Sequence, residues 1–305
     1  MMIETKTSEF EKARPQLLGV AYRLLGSYSE AEDAVQDTAY KWFASDAPLP
    51  DNPIAWLTAV CTNRCLDYLK SAQKKRMEYV GPWLPEQLET TTDSTPETRL
   101  EIASTLSTAF LLLLERLTPK ERAAYLLHDI FNTPHSDIAQ MLGISEASAR
   151  QLASRGRKHV QDGNVRHIPP QERQESLLKG FQEALTTGDV NTFAKTLCDD
   201  VDLRADSGGL VVATRHVLRG KDTVLQFFSS ILVPAWGSLR TEEKTVNGQP
   251  GIMLWDGDSP HALVSFAYAA EGQIQNIFVL REPEKLRRLT AIKASALANG
   301  ALQIH

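Results

Sequence analysis

The segment from Ser136 to Leu152 constrains the fold more than any other, because it has the spacing of a helix-turn-helix. Ala139 is small enough to let two helices cross closely, and Gly143 can make the turn between them. The apolar positions that can fill the shared core are Ile138, Ile144 and Leu152. The sequence therefore predicts two helices joined by a tight turn.

Side chains suited to DNA gather on the second of these helices. Residues three or four positions apart share one side of a helix, so its polar and basic residues form a continuous surface. Arginine and glutamine can hydrogen-bond base edges, whereas arginine and lysine also neutralise phosphates. The predicted DNA-binding residues here are Ser148, Arg150, Gln151, Ser154, Arg155, Arg157 and Lys158. The alternative interpretation is an ordinary helical hairpin whose arginines are merely solvated.

Composition excludes several classes of protein. A net charge of −5 argues against coating nucleic acid by bulk electrostatics, so any DNA contact must be local. The sequence has neither a secretory start nor an apolar run of membrane-spanning length, which favours the cytoplasm and no membrane partner. Its three cysteines form no CxxC pair, so we expect neither a disulfide framework nor a metal site. No motif calls for a cofactor.

The first half of the chain is helical in pattern. Apolar residues recur at helical spacing from Phe10 to about Arg76, which predicts a three-helix unit with Ser29 as an N-cap of its second helix. A polar linker precedes a second helical unit, in which Thr118 and Glu121 have the spacing of a capping box.

The pattern changes after Pro169-Pro170 to an α+β arrangement. Helices are predicted over Gln171–Thr186, Val190–Leu197 and Lys221–Ser230, and from Glu284 onward. Strands are predicted over Val201–Ala205, Leu210–Val217, Leu239–Val246, Gly251–Trp255, Ala262–Ala269 and Ile274–Leu280. The predicted domains are residues 8–78 and 98–163, both all-α, and 171–305, α+β, with linkers at 79–97 and 164–170.

With these residues in view, the span from Phe10 to Val160 resembles the extracytoplasmic-function sigma factors, which keep sigma regions 2 and 4. Residues 21–27 and 31–37 resemble the helix by which that family docks on the RNA polymerase core enzyme. The resemblance implies a polymerase-binding surface of Glu32, Asp33, Gln36 and Asp37. Taken alone, these acids would be a solvated helix face.

The third helix resembles the family's promoter-melting helix. Melting needs cations for the strand and surfaces for unpaired bases. The resemblance implies DNA contacts by Asn63, Arg64, Lys70, Lys74, Lys75 and Arg76. It also implies that the loop from Ser45 to Asn52 captures a flipped-out base.

The last domain resembles the SnoaL-like extension that one subgroup of the family carries, a curved sheet wrapped by helices. The resemblance implies an autoregulatory role that involves Asp206, Gly208, Gly209, Pro283, Lys285 and Leu286. Lys285, Arg287 and Arg288 of the final helix could then meet acids of the sigma domains. SnoaL-like domains also enclose apolar pockets, so this one could bind a small-molecule ligand among Asp206, His216, Trp236, Trp255 and His261.

Taken together, the sequence predicts a non-catalytic sigma factor whose partners are RNA polymerase core enzyme and promoter DNA. Two alternatives stay open at this point. One is a transcriptional regulator that binds duplex DNA without polymerase, and the other is a SnoaL-like ligand-binding protein or enzyme. The acidic helix followed by the basic helix favours the sigma factor, since neither alternative needs that pair.

Overall fold

The chain forms two compact units. The structure is a computed structural model and describes residues 2–77, 79–90, 104–162 and 167–291, without the side chains of Met2, residues 72–77 and Ala291. Among the described residues, the first unit contains 2–77 and 113–162, and the second contains 79–90, 104–112 and 167–291.

The first unit is helical. Its helices are α1 (Met2–Leu25), α2 (Tyr28–Ala44), α3 (Pro53–Met77), α4 (Thr108–Leu114, whose N-terminal part belongs to the second unit), α5 (Pro119–Tyr125), α6 (His135–Leu142) and α7 (Glu146–Asp162). A π-helical turn, Leu126–Ile130, extends α5. Helix α1 packs against both α2 and α3, and its Leu17 and Leu24 are fully buried. The apolar residues that recur at helical spacing in the sequence therefore form the core of this unit.

The helix starts show how local chemistry sets the boundaries. Thr118 and Glu121 form the predicted capping box, with Thr118 N donating to Glu121 Oε2 at 3.1 Å and Glu121 N donating to Thr118 Oγ1 at 3.4 Å. The N-cap of α2 is Ser27, whose Oγ accepts from Glu30 N at 3.3 Å, so the prediction of Ser29 was wrong. Gly26, with φ of +67°, ends α1 and leaves Ser27 as the first residue that can cap.

The second unit pairs helices with a six-stranded sheet. Its helices are α8 (Gln171–Thr187), α9 (Val190–Ala194), α10 (Lys221–Phe227, extended by the π-helical turn Phe228–Leu232), α11 (Val233–Trp236) and α12 (Pro283–Ala291). Its strands are β1 (Leu197–Asp206), β2 (Leu218–Arg219), β3 (Arg240–Val246), β4 (Gln249–Asp256), β5 (Ser259–Tyr268) and β6 (Ile274–Leu280). The sheet order is β2-β1-β6-β5-β4-β3, and only the β1–β6 pair is parallel.

The two faces of the sheet have different covers. Alternate residues of a strand point to opposite faces, so Ala262, Val264 and Phe266 pack in the large core with α8 to α11. Leu263 points the other way and joins a smaller cluster with Leu286 of α12. Helices α8 to α11 therefore cover one face of the sheet, and α12 covers part of the other.

One predicted strand is absent. Residues 210–217 form turns and bends, and the only strand there is β2, which begins at Leu218. Leu210 and Val212 are 70% and 89% exposed, so their alternation does not mark a buried strand face. The preceding Gly208 and Gly209, both at positive φ, turn the chain out of β1. Helix α9 is also shorter than predicted, because β1 begins already at Leu197.

The predicted fold class, helical sigma domains followed by an α+β curved-sheet domain, is confirmed. The exact domain bounds stay a prediction, since the first compact unit contains helices from both predicted helical domains. Within the described residues, no helix combines the length and apolar character that a bilayer span requires.

Candidate functional site

The helix-turn-helix has the predicted geometry. Gly143 ends α6 in the left-handed region with φ of +61°, and Ile144 N donates to Ala139 O at 3.0 Å across the turn. Ser145 then caps α7, because its Oγ accepts from Ser148 N at 3.2 Å. Ile138 is fully buried. The turn chemistry read in the sequence therefore fixes the angle at which α7 leaves α6.

Helix α7 packs very closely on α5. A Cβ at Gly156 would lie 2.7 Å from Cβ of Tyr125 and 3.2 Å from the carbonyl oxygen of Glu121, and Ala149 and Ala153 are buried on the same side. The opposite side faces solvent. The predicted DNA-binding residues exposed there are Arg150, Gln151, Ser154, Arg155, Arg157 and Lys158, with Ser148 partly exposed.

Two of these arginines have carboxylate partners. Arg157 Nε lies 2.6 Å from Oδ1 of Asp129, and this hydrogen bond raises the pKa of Arg157. Arg150 pairs with Glu146 one turn earlier on α7. Asp129 belongs to the π-helical turn after α5, so it holds the Arg157 side chain against the helix that supports α7. The sequence pattern did not identify this contact.

The predicted polymerase-binding residues share one side of α2. Asp33 and Gln36 are exposed, whereas Glu32 and Asp37 are partly buried. Asp37 Oδ2 accepts from Arg64 Nε of α3 at 2.6 Å, which raises the pKa of Arg64. A residue predicted to bind polymerase and a residue predicted to bind DNA are thus joined by one ion pair.

The predicted DNA-binding residues of α3 differ in their surroundings. Asn63 Nδ2 donates to Met141 O of α6 at 2.9 Å, so its amide holds α3 to the helix-turn-helix. Lys70 is exposed and pairs with Asp67 at 2.9 Å. The side chains of Lys74, Lys75 and Arg76 lie outside the described part of the structure. Their predicted roles, like those of the other site residues, stay a prediction.

A pocket opens beside the loop between α2 and α3. Two aromatic rings of the first unit meet there, with the centroids of Trp42 and Trp56 5.4 Å apart. Lys6 donates from Nζ to Trp42 O at 3.1 Å and closes one side of the pocket. The lining residues are Lys6, Trp42, Ser45, Ala47, Pro48, Leu49, Pro50 and Trp56. The pocket therefore combines a cation with two tilted, neighbouring aromatic rings.

The second unit contains a buried carboxylate whose two oxygens both accept hydrogen bonds. Asp206, at the end of β1, has no exposed surface. Its Oδ1 accepts from Tyr79 Oη at 2.6 Å and Gly208 N at 3.2 Å. Its Oδ2 accepts from Leu84 N and Lys285 Nζ, both at 2.8 Å. We call Asp206 with Tyr79, Leu84 and Lys285 the Asp206 cluster.

Lys285 joins three segments of the chain in this cluster. Besides Asp206, its Nζ donates to Leu84 O at 2.6 Å and lies 4.9 Å from the ring centroid of Trp83. Arg288 of the same helix pairs with Glu86 at 3.3 Å. The expectation that Lys285, Arg287 and Arg288 meet acids of the sigma domains was wrong for both paired residues. Lys285 instead pairs with buried Asp206 and Arg288 with buried Glu86, and Arg287 is exposed.

The other predicted regulatory residues surround this cluster. A Cβ at Gly208 would lie 2.9 Å from Cγ of Glu282, and a Cβ at Gly209 would lie 2.9 Å from Cβ of Val80. Pro283 begins α12, and Leu286 is buried against the sheet. Both glycines also have positive φ, so close approach and backbone conformation require glycine at these positions.

The predicted pocket residues do not form one group. Trp236 and His261 lie together, with ring centroids 6.0 Å apart. His216 is exposed, Trp255 packs on the α12 side of the sheet, and Asp206 is saturated within its own cluster. The part of the chain that the structure describes contains no group of three or more histidine, cysteine or carboxylate side chains able to hold a metal.

In the second unit, Tyr79 and Arg281 were not predicted from the sequence as site residues. Tyr79 immediately precedes the Val80–Glu86 segment, but nothing local links it to an aspartate so far along the chain. Arg281 follows β6 and contacts His261, with Nη2 3.1 Å from Nε2 of that ring. A basic residue directly after an apolar strand was the available signal for Arg281.

Comparison with known proteins agrees with this arrangement. Residues 10–75 match Sigma-70 region 2, and residues 107–160 match Sigma-70, region 4. ECF RNA polymerase sigma factor SigJ of Mycobacterium tuberculosis (strain ATCC 25618 / H37Rv) is 39% identical over 230 residues, which are 74% of this chain and 73% of that protein. The probable ECF RNA polymerase sigma factor SigI of the same species (strain CDC 1551 / Oshkosh) is 28% identical over 285 residues, 91% of this chain and 93% of that protein.

The similarity extends to a solved structure. The crystal structure of Mycobacterium tuberculosis SigJ matches with a TM-score of 0.71 at 33% identity, and the match covers 92% of this chain and 98% of the solved chain. The chain therefore belongs to the family of extracytoplasmic-function (ECF) RNA polymerase sigma factors.

Proposed function

We propose that this chain binds RNA polymerase core enzyme and directs promoter recognition and melting, and that its C-terminal domain modulates this activity. The observation that carries the proposal is the exposed basic side of α7, held by the Gly143 turn and the close α5 packing at Gly156. The proposed domains are 8–78, 98–163 and 171–305.

In this proposal α7 reads the upstream promoter element as duplex. Gln151 and Arg150 lie in its first turns, where a recognition helix reaches base edges. Arg155 and Lys158 lie further along and would neutralise phosphates. Arg157 has a structural role besides its proposed DNA contact, because its ion pair with Asp129 also stabilises the α5–α7 packing.

The same proposal assigns the side of α2 with Glu32, Asp33, Gln36 and Asp37 to polymerase. The exposure of Asp33 and Gln36 supports an intermolecular role, because neither is needed inside the helical core. The Asp37–Arg64 pair lies at the border between this surface and α3.

Helix α3 is proposed to contact the melted strand. Arg64 and Lys70 supply cations, and Lys74, Lys75 and Arg76 continue the series along the same helix. The neighbouring pocket, with the Trp42–Trp56 pair and Lys6, has the aromatic surface and positive charge that an unstacked base and its phosphate require.

We assign the C-terminal domain a regulatory and non-catalytic role. Asp206 would be the natural general base of a SnoaL-like enzyme in this chain, but four hydrogen bonds already occupy its carboxylate. The same bonds tie residues 79–84 to the sheet domain. Regulation would act through this segment, because it precedes the second helical region of the sigma half.

In vitro transcription with purified bacterial core enzyme tests the proposal. We expect promoter-specific transcripts that depend on the full chain and are lost in Arg155→Ala combined with Gln151→Ala. The transcripts should persist in Arg116→Ala, because Arg116 is exposed and does not belong to α7. Asp33→Lys should weaken core binding without changing the thermal stability. Duplex binding with no dependence on core enzyme would instead support a conventional regulator.

A further inference from the structure

An arginine in the C-terminal domain is half-buried and has no negative partner among the described residues. Arg281 follows β6, and its Nη1 donates to the carbonyl of Val212 while Nη2 contacts His261 Nε2 at 3.1 Å. Its Nε is buried and has no hydrogen-bond partner in the structure. Both acceptors are neutral groups, so the guanidinium charge is not compensated by direct contact.

Two other arginines of this unit have carboxylate partners. Arg204 has Asp202 at 2.9 Å, and Arg288 has Glu86 and Glu284 at 3.3 and 2.5 Å. For Arg281, no carboxylate within the described ranges comes into ion-pair distance. A charge withdrawn from water without a counter-ion is unfavourable, and burial accordingly lowers the pKa of Arg281. An anion bound at this position would remove that cost.

The surroundings of Arg281 provide an apolar wall. Its Cζ lies 5.8 Å from the ring centroid of Trp236, which belongs to the large core beneath α8 to α11. His261 meets the same indole edge-on, and burial together with Arg281 lowers the pKa of His261, which keeps the ring neutral. Two residues after Val212, the hydroxyl of Thr214 is also buried and has no hydrogen-bond partner within the described ranges.

We propose that Arg281, His261 and Trp236 form a binding site for a small carboxylate with an apolar body. A guanidinium with an unused Nε–H suits the two oxygens of one carboxylate, and the indole provides a surface for the body of the ligand. A neutral His261 can hold the guanidinium in place without competing for the anion. The binding site stands on this geometry, whereas any effect of the ligand on transcription rests on the proposed function.

Benzoate is the probe, and its neutral isostere benzamide is the matched control ligand. Saturation-transfer NMR on the full chain should detect benzoate but not benzamide, and benzoate should shift the ring resonances of His261. Arg281→Met should weaken benzoate binding by about tenfold or more, as expected for the loss of a charge-assisted hydrogen bond. Arg240→Met is the control variant, because Arg240 also stacks on a tryptophan, Trp255 at 4.9 Å, but has Glu242 as partner.

Arg281→Lys keeps the test decisive if the methionine variant does not fold. Lysine preserves the charge but not the planar pair of N–H donors that the guanidinium offers, so Arg281→Lys should bind benzoate more weakly. Arg240→Lys should bind benzoate with the wild-type affinity. Equal binding of benzoate and benzamide, or equal benzoate affinity in wild type and folded Arg281 variants, would overturn the proposal, as would no benzoate binding at all. Because binding is measured without polymerase, its failure is distinguishable from failure of the sigma function.

Discussion

The hydroxyl of Tyr79 donates a 2.6 Å hydrogen bond to the carboxylate of Asp206, 127 residues further along the chain. Burial and this contact raise the pKa of Tyr79, so the phenol stays protonated and serves as donor. The same segment is attached to the sheet domain at a second point, because Leu88 and Asn247 exchange two hydrogen bonds of 2.9 Å. Residues 79–90 therefore belong physically to the sheet domain.

Replacing Tyr79 by phenylalanine tests this attachment. The variant removes one donor to a buried carboxylate, so local stability should fall by about 1–2 kcal/mol. Hydrogen exchange of the Leu84 amide, which also donates to Asp206, should accelerate. Tyr40→Phe is the control, because Tyr40 is 77% exposed and should leave that exchange rate unchanged. Unaltered Leu84 protection in Tyr79→Phe would contradict the role of the bond.

Lys285 and Asp206 should be strongly coupled. Removing either charge leaves the other buried, so Asp206→Asn and Lys285→Met should each destabilise the second unit by about 3–5 kcal/mol. The double variant should cost clearly less than the sum, and denaturant unfolding of all four proteins measures the coupling. Lys70→Met is the control, since its pair with Asp67 is exposed and should contribute little. Additive effects would mean that the two residues act independently.

Two helical glycines should respond in opposite ways to alanine. At Gly156 a Cβ would lie 2.7 Å from Tyr125, so Gly156→Ala should push α7 from α5 and destabilise by about 1–3 kcal/mol. A Cβ at Gly180 of α8 would have no neighbouring atom of the described residues within 4 Å, so Gly180→Ala should stabilise by about 0.5–1 kcal/mol. Thermal unfolding gives both values. If the two variants shift stability in the same direction, the close α5–α7 packing is not the determining factor.

Acidification should destabilise the first unit through His135. Burial and electrostatic repulsion from His128, Arg150 and Arg157 lower the pKa of His135, and the His128 ring lies only 3.8 Å away. Because the folded state disfavours the proton, stability is complete above the unfolded pKa of 6.5 and falls as the pH decreases below it. His135→Gln should lose less stability than wild type between about pH 7.5 and pH 5.5. His159→Gln, at an exposed position of α7, should follow the wild-type curve.

Two residues of α7 should affect DNA binding differently. Lys158→Ala should weaken binding to all sequences and lower the slope of affinity against salt by about one. Gln151→Ala should instead relax the preference for particular bases at one position, by about 1–3 kcal/mol of discrimination. Competition binding of the polymerase holoenzyme to promoter variants at several salt concentrations separates the two effects. Identical behaviour of both variants would contradict the division into base and phosphate contacts.

Helix caps and turns could be predicted from the sequence because they depend on interactions within a few residues. The Thr118 capping box and the Gly143 turn depend on neighbours within one helical turn, and both formed as the sequence predicted. The strand predicted over residues 210–217 failed because alternation alone cannot show whether another segment covers one face. The basic side of α7 was also predicted, since an amphipathic pattern fixes which residues point away from the core.

The sequence by itself determined the helix-turn-helix, the family resemblance and most of the sheet strands, because propensity, capping and periodicity are properties of short segments. Only the tertiary structure decided that Asp37 pairs with Arg64 and that Lys285 pairs with Asp206. The same holds for Arg281, which has no carboxylate partner in the part of the chain that the structure describes. Such partners are far apart in the chain, and their choice depends on how packed elements bring charges together out of water.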